Sequence, residues 1–297
     1  MTAPQYPADE VHSRRLITED GQAIHATVYP AVKAKGTVIM ASALGVPQSY
    51  YSRYATFLMG NGYQCICFDY RGTANSPFAG DLDDIELIDW GKQDLHRVIE
   101  EAKTLAQEQS LSPDNIILVG HSIGGQITGM TSEIKHIKRA LFVASSAPYW
   151  RRWTGLGKLS MFLNVYLMVP AACFGRKVFP AKAVGFSSMN MPASVAKTWA
   201  SWMRTPNYLF DRRHGYDISG YQDLNFPIMS LGFSDDNFAP KTNIDRLLSF
   251  FPNCKIDDRQ VDAKAHGGIG HMGYFHNKHQ HTLWKEGLEW IEAKPLS

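Results

Sequence analysis

Gly120-His121-Ser122-Ile123-Gly124-Gly125 flanks a serine with glycines two positions away on each side. G-x-S-x-G is the sequence form of a sharp strand–turn–helix that lifts a serine hydroxyl above the edge of a sheet. The context fits: residues 115–119 are an apolar run suited to a strand, and 123–132 read as a helix. Side chains at positions 120 and 124 would collide with the neighbouring strand or helix, which accounts for the glycines. Such a turn strains the serine and leaves the Ile123 amide at a helix start, ready to donate to an oxyanion. Five residues alone occur by chance, and the bland alternative is a glycine-rich helix start with a solvent-facing serine. The flanking elements favour Ser122 as a nucleophile.

A serine hydroxyl needs a base, and the base needs an orienting acid. With this elbow the chain order is serine, acid, histidine. The apolar run 226–231 reads as a strand leading into Gly232-Phe-Ser-Asp235-Asp236-Asn-Phe-Ala-Pro240. Turns of this type set the acid four residues before a proline that opens the next helix, which selects Asp236. Asp235 is the alternative, and the other aspartate of the pair is expected to cap the helix 241–250. For the base, His271 in Gly268-Gly-Ile-Gly270-His271-Met272-Gly273 lies in a loop just before the last helix. His266 is its nearest rival. The second oxyanion donor is expected after the third strand, at the backbone N–H of Leu44, where Ser42-Ala43 replaces the usual His-Gly. His276, His279 and His281 have a spacing that could hold a metal. No Cys or Glu joins them, so they read as a solvated helix face, with no metal expected.

These residues must be positioned by the elements around them. Residues 14–18 and 23–29 read as a hairpin about Glu19-Asp20-Gly21. Strands at 37–42, 63–68, 115–119, 139–144, 226–231 and 255–261 alternate with helices at 50–59, 87–109, 123–132, 241–250 and 282–291. That alternation predicts an α/β fold with a mostly parallel sheet covered by helices on both faces. Residues 148–222 break the rhythm with amphipathic runs rich in Trp, Met, Leu and Phe, and are expected to form an inserted helical cap. The core domain would then comprise 1–147 and 223–297. The run Met161, Phe162, Val165, Tyr166, Leu167 and Met168 is expected to be the cap's own core or the lining of an acyl pocket.

The pieces Gly120-His-Ser-Ile-Gly-Gly-Gln126, Asp69-Tyr-Arg-Gly72, Ser234-Asp-Asp-Asn-Phe-Ala-Pro240 and Ile269-Gly-His-Met-Gly-Tyr-Phe275 together resemble the α/β-hydrolase superfamily over nearly the full length. More narrowly, the sequence is similar to a group of bacterial predicted α/β-hydrolases that are mostly uncharacterised. The resemblance implies an eight-stranded sheet, a helical cap and a Ser122–Asp236–His271 triad, without specifying a substrate. It agrees with the residue-level expectation of a serine hydrolase acting on a carboxylic ester or thioester. An acyltransferase with the same triad, or a non-catalytic binding protein on this fold, are the alternatives. No cofactor is expected.

Composition narrows the partners. The 297 residues are 44% hydrophobic and 20% charged with a formal net charge of +2, ordinary for a globular chain. Residues 134–210 hold eleven Lys and Arg and no Asp or Glu, leaving 19 basic against 28 acidic residues elsewhere. Such a split suggests either an anionic substrate or lipid surface, or cap cations complementing an anionic body. No nucleic-acid reading module is present, so nucleic acid is not an expected partner. The most apolar stretch, 161–174, is interrupted by Asn164 and Pro170 and falls short of roughly 20 residues, so stable membrane insertion is not expected. The polar, acidic opening (Asp9, Glu10) does not read as a leader, and four cysteines lack framework spacing. A reduced, cytoplasmic protein is the expectation. Oligomeric state is not legible.

Overall fold

Strands buried on both faces should be apolar throughout, and edge strands should alternate. The structure, a computed structural model, describes residues 10–293; the opening through Asp9 lies outside them. Every residue of β3 (Thr37–Ala41), β4 (Gln64–Phe68), β5 (Ile116–His121) and β9 (Ile228–Phe233) is buried, as is nearly all of β6 (Ile137–Val143). The outer strands β1 (His12–Ile17) and β10 (Ile256–Val261) alternate instead. With β2 (Ala23–Tyr29) they form one eight-stranded sheet in the order β1-β2-β4-β3-β5-β6-β9-β10, parallel from β4 to β10. All eight strands lie outside 148–222. That segment carries the two-residue ribbon β7 (Val178–Phe179) and β8 (Met191–Pro192) with the helices α4 (Gly155–Leu163), α5 (Val169–Cys173), α6 (Ala193–Met203) and α7 (Gly220–Asp223).

Packed about the sheet are α1 (Ser52–Gly60), α2 (His96–Glu108), α8 (Lys241–Leu248) and α9 (Leu283–Glu292). Three sequence expectations need correction. The helix expected over 87–109 begins as a π turn, Trp90–Leu95, before α2. The helix expected over 123–132 shrinks to α3 (Ile123–Gln126) followed by 3-10 turns. Gly124, Gly125 and Gly129 weaken it, and the Gln126 carbonyl accepts from Tyr221 Oη at 2.6 Å instead of from a continuing helix. Asn164 and Pro170, which interrupt the apolar stretch 161–174, do not end the helix there. A π turn, Asn164–Met168, joins α4 to α5, Pro170 falls in the first turn of α5, and Arg204 Nε donates to the Val165 carbonyl at 3.0 Å. A proline there removes an N–H the new turn does not use. The result is one helical run, Gly155–Cys173, of 19 residues, by length and composition sufficient to cross a membrane.

The turn after β4 anchors the early elements. Arg71, nearly buried, donates from Nε to Asp94 at 2.8 Å and from its backbone N–H to the same carboxylate at 2.9 Å; its Nη1 pairs with Asp20 in the first hairpin. Removing one partner of a buried pair leaves an uncompensated charge. Asp94→Ala is therefore expected to destabilise the fold by about 3–5 kcal/mol, read from urea unfolding; a loss below about 1 kcal/mol would show that Asp20 alone satisfies Arg71.

Candidate active site

β5 reaches the top of the sheet at His121, and the chain reverses at Ser122 with φ +52° and ψ −113°. L-residues rarely adopt such a backbone, and it costs on the order of 1–3 kcal/mol. The amide of Ser122 is held by the Val143 carbonyl at 2.9 Å. A Cβ at Gly124 would strike the Ala41 carbonyl, and one at Gly120 would sit 2.6 Å from the Gly125 nitrogen. Both glycines are thus forced by close approach of backbone to backbone. The Ser122 hydroxyl makes no hydrogen bond among the described residues and faces a cavity of about 440 Å³. The first amide of α3, that of Ile123, has no partner within its helix.

The two adjacent aspartates separate cleanly. Asp236, buried after β9, accepts from His271 Nδ1 at 2.8 Å on one oxygen and from the amides of Phe238 (2.7 Å) and Ala239 (3.1 Å) on the other. Asp235 accepts from the amides of Ile269 (2.8 Å) and Gly270 (2.7 Å), and so holds the loop that carries His271. His266 does not line the cavity, whereas His271 does. His276 and His281 are exposed. His279, expected on a solvated face, is buried with its ring 5.9 Å from that of His266. The turn Asn277–His279 precedes α9 and folds this side chain inward. No three His, Cys, Asp or Glu side chains among the described residues converge as a metal site.

A hydrogen-bonded chain that sequence reasoning missed joins the loop after β3 to the loop that carries His271. The Ala43 amide donates to Tyr51 Oη at 2.8 Å, Tyr51 Oη lies 2.8 Å from His121 Nδ1, and His121 Nε2 lies 2.9 Å from the His271 carbonyl. A carbonyl only accepts, so Nε2 carries the proton. Nδ1 of the neutral ring must then accept, and the phenol donates to it. Burial raises the Tyr51 phenol well above its usual range and holds it protonated. Burial, with His271 close by, lowers His121 from 6.5 to about 3. Tyr50 Oη adds a bond to the Met272 carbonyl at 2.7 Å. With the Ala43 amide engaged, Leu44 is left as the next amide of that loop, and it has no acceptor among the described residues.

Residues 148–222 complete the cavity with Trp153, Phe186, Trp199 and Met203. Ser187 Oγ donates to the carbonyls of Leu44 (3.0 Å) or Gly45 (2.6 Å), and Trp153 Nε1 to that of Asn237 (2.8 Å). The run expected to line a pocket or fill the cap core does neither as a set. Val165 is buried, whereas Phe162, Tyr166 and Leu167 face outward. None of the lining residues is Lys, Arg, Asp or Glu.

The sequence matches the alpha/beta hydrolase family over residues 38–279. No curated protein sequence matches it significantly. Among solved structures, an esterase from Exiguobacterium antarcticum superposes with TM-score 0.57 at 14% identity, covering 94% of this chain and 99% of that one. An esterase of Pyrococcus furiosus gives 0.59 at 16%, covering 98% and 94%. A thioesterase domain from the curacin biosynthetic pathway gives 0.54 at 13%, covering 95% and 99%. At these identities the likeness is one of fold.

The His121 environment makes stability depend on pH. The unfolded ring takes a proton near 6.5 and the folded ring only near 3. Stability present above 6.5 is therefore lost as pH falls towards 3, by about 1.4 kcal/mol per pH unit. Urea unfolding of His121→Gln should show a shallower loss between about pH 6 and 4 than the parent; parallel slopes would refute the assignment.

Proposed function

Because the chain belongs to the alpha/beta hydrolase family, we propose that it is a serine hydrolase that cleaves a carboxylic ester or thioester through an acyl-enzyme on Ser122. The observation that carries this reading is the 2.8 Å contact between His271 Nδ1 and the buried Asp236 carboxylate, at the wall of a cavity that Ser122 also lines. With Nδ1–H donated to Asp236, Nε2 is left as the base. It takes the Ser122 proton as Oγ attacks the carbonyl carbon. The amides of Ile123 and Leu44 receive the developing oxyanion, each such donor contributing about 3 kcal/mol. His271 then protonates the departing alcohol or thiol. Water, deprotonated by the same nitrogen, attacks the acyl-enzyme, releases the acid and restores Ser122.

In this proposal residues 148–222 act as a cap that selects the acyl group. The uncharged lining of Trp153, Phe186, Trp199 and Met203 favours an apolar acyl chain, with any anionic portion of the substrate left outside. A volume of about 440 Å³ lies at the small end of ligand pockets.

Labelling by a fluorophosphonate probe tests the nucleophile. The parent should label, Ser122→Ala should not, and p-nitrophenyl esters and acyl thioesters of graded chain length should be turned over. Asp236→Asn is expected to lower kcat on the order of 10⁴-fold. Asp235→Asn, which keeps an acceptor for the loop amides, should stay within about tenfold. Products formed with added alcohol acceptors would reveal transfer in place of hydrolysis. A folded parent that takes no label would overturn the enzyme reading in favour of a binding protein.

A further inference from the structure

The helical run Gly155–Cys173 is packed unlike any core helix. Val165, Val169 and Cys173 are buried, and α5 packs on α6. On the outer side Leu159, Leu163 and Leu167 are exposed, Leu156 is 85% exposed, and Phe174 just beyond the run is 87% exposed. A helix on a water-facing surface turns polar residues outward, and a contiguous apolar patch marks something that covers it.

Charge indicates what that is. Residues 134–210 contain no Asp or Glu. Of their eleven cations only Lys135 and Lys177 meet a carboxylate among the described residues, Glu133 and Asp81. Of the eight that lie in 148–222, only Lys177 pairs directly with a carboxylate of the body among the described residues, so direct ion pairing does not account for most of the cap cations. Exposed Arg151, Lys158 and Arg176 lie on the helical run or within four residues of its ends in sequence, and exposed Lys182 follows nine residues after it. Near its start, Arg151 and Lys158 lie 5.0 and 5.9 Å from the Trp150 ring, which clusters with Phe162 and Tyr166. A second copy docked through a two-fold axis would bring this cationic rim against itself. An anionic lipid surface accepts both features, leucines among the acyl chains and cations among the phosphates, with aromatic rings at the boundary.

We infer that the outer face of Gly155–Cys173 docks on an anionic lipid surface, lying in its plane. The inner row stays on the protein, so the helix lies on the membrane and does not leave the fold to span it. Trp153, two residues before the run, lines the cavity, and Phe238, 44% exposed, lines it too. The docked face thus begins beside the cavity. The docking stands on the surface alone, and its test does not use turnover.

The test is sedimentation of the full chain with phosphatidylcholine vesicles with and without phosphatidylglycerol, alongside sedimentation velocity of the free protein. The parent should bind phosphatidylglycerol vesicles preferentially and release at high salt. Leu159→Gln, Leu163→Gln and Leu167→Gln together should weaken binding by at least about tenfold. Lys158→Glu with Arg176→Glu should do so by a similar factor, each variant keeping the parent's melting temperature. A parent that does not sediment with anionic vesicles at low salt overturns the inference, whatever the variants do. So does a parent that self-associates and is dissociated by the leucine substitutions while binding no vesicles, since a second copy would then own this face. Unchanged binding by the folded leucine variant also overturns it.

Discussion

At Ser122 the backbone must reverse within one residue, between a strand locked into the sheet and a helix pressed on its neighbour. The carbonyl of Ala41 on β3 leaves no room for a side chain at position 124, and the α3 backbone leaves none at 120. The Val143 carbonyl on β6 fixes the serine amide. Three adjacent strands thus define one dihedral pair, and buried apolar packing of β3, β5 and β6 holds it against its strain. Without that over-determination the turn would relax, the hydroxyl would leave the cavity, and the Ile123 amide would lose its aim.

Everything else in the site takes its position relative to that turn. His121, next to the serine, is at once part of the elbow and the link between two loops. Through Tyr51 it reaches the Ala43 amide, and through its other nitrogen the His271 carbonyl. Asp235 and Tyr50 hold the same histidine loop at its flanks. The loop bearing Leu44 is held from the opposite side by Ser187. Groups fixed in this way need no reorganisation when charge develops between them, which is where preorganised polar sites derive most of their effect.

What the sequence made legible follows from how local each determinant is. Buried parallel strands are continuous apolar runs, and the glycines at 120 and 124 answer a clash that the motif itself implies. The choice of Asp236 rests on its distance from Pro240, again local. The part taken by Asp235 was not legible, because its partners, the amides of 269 and 270, are supplied by a loop more than thirty residues on. The cavity wall was illegible for the same reason: Trp153, Phe186 and Trp199 come from separate segments with no shared periodicity. The short α3 is a case of tertiary override, since Tyr221 takes the carbonyl that a longer helix would have used. His279 went the same way, drawn inward by a turn whose position no pattern marked.

The electrostatic asymmetry of the chain acquires a sense only when placed in space. Cations beside Ser122 would attract anionic ligands, yet the cavity wall carries no Lys, Arg, Asp or Glu. Arg151, Lys158, Arg176 and Lys182 are instead exposed on the inserted segment, without a carboxylate partner among the described residues. Under the proposed function, the site's chemistry would rest on neutral donors and one carboxylate–imidazole pair, and under the proposed docking the placement of the molecule would rest on the exposed cations.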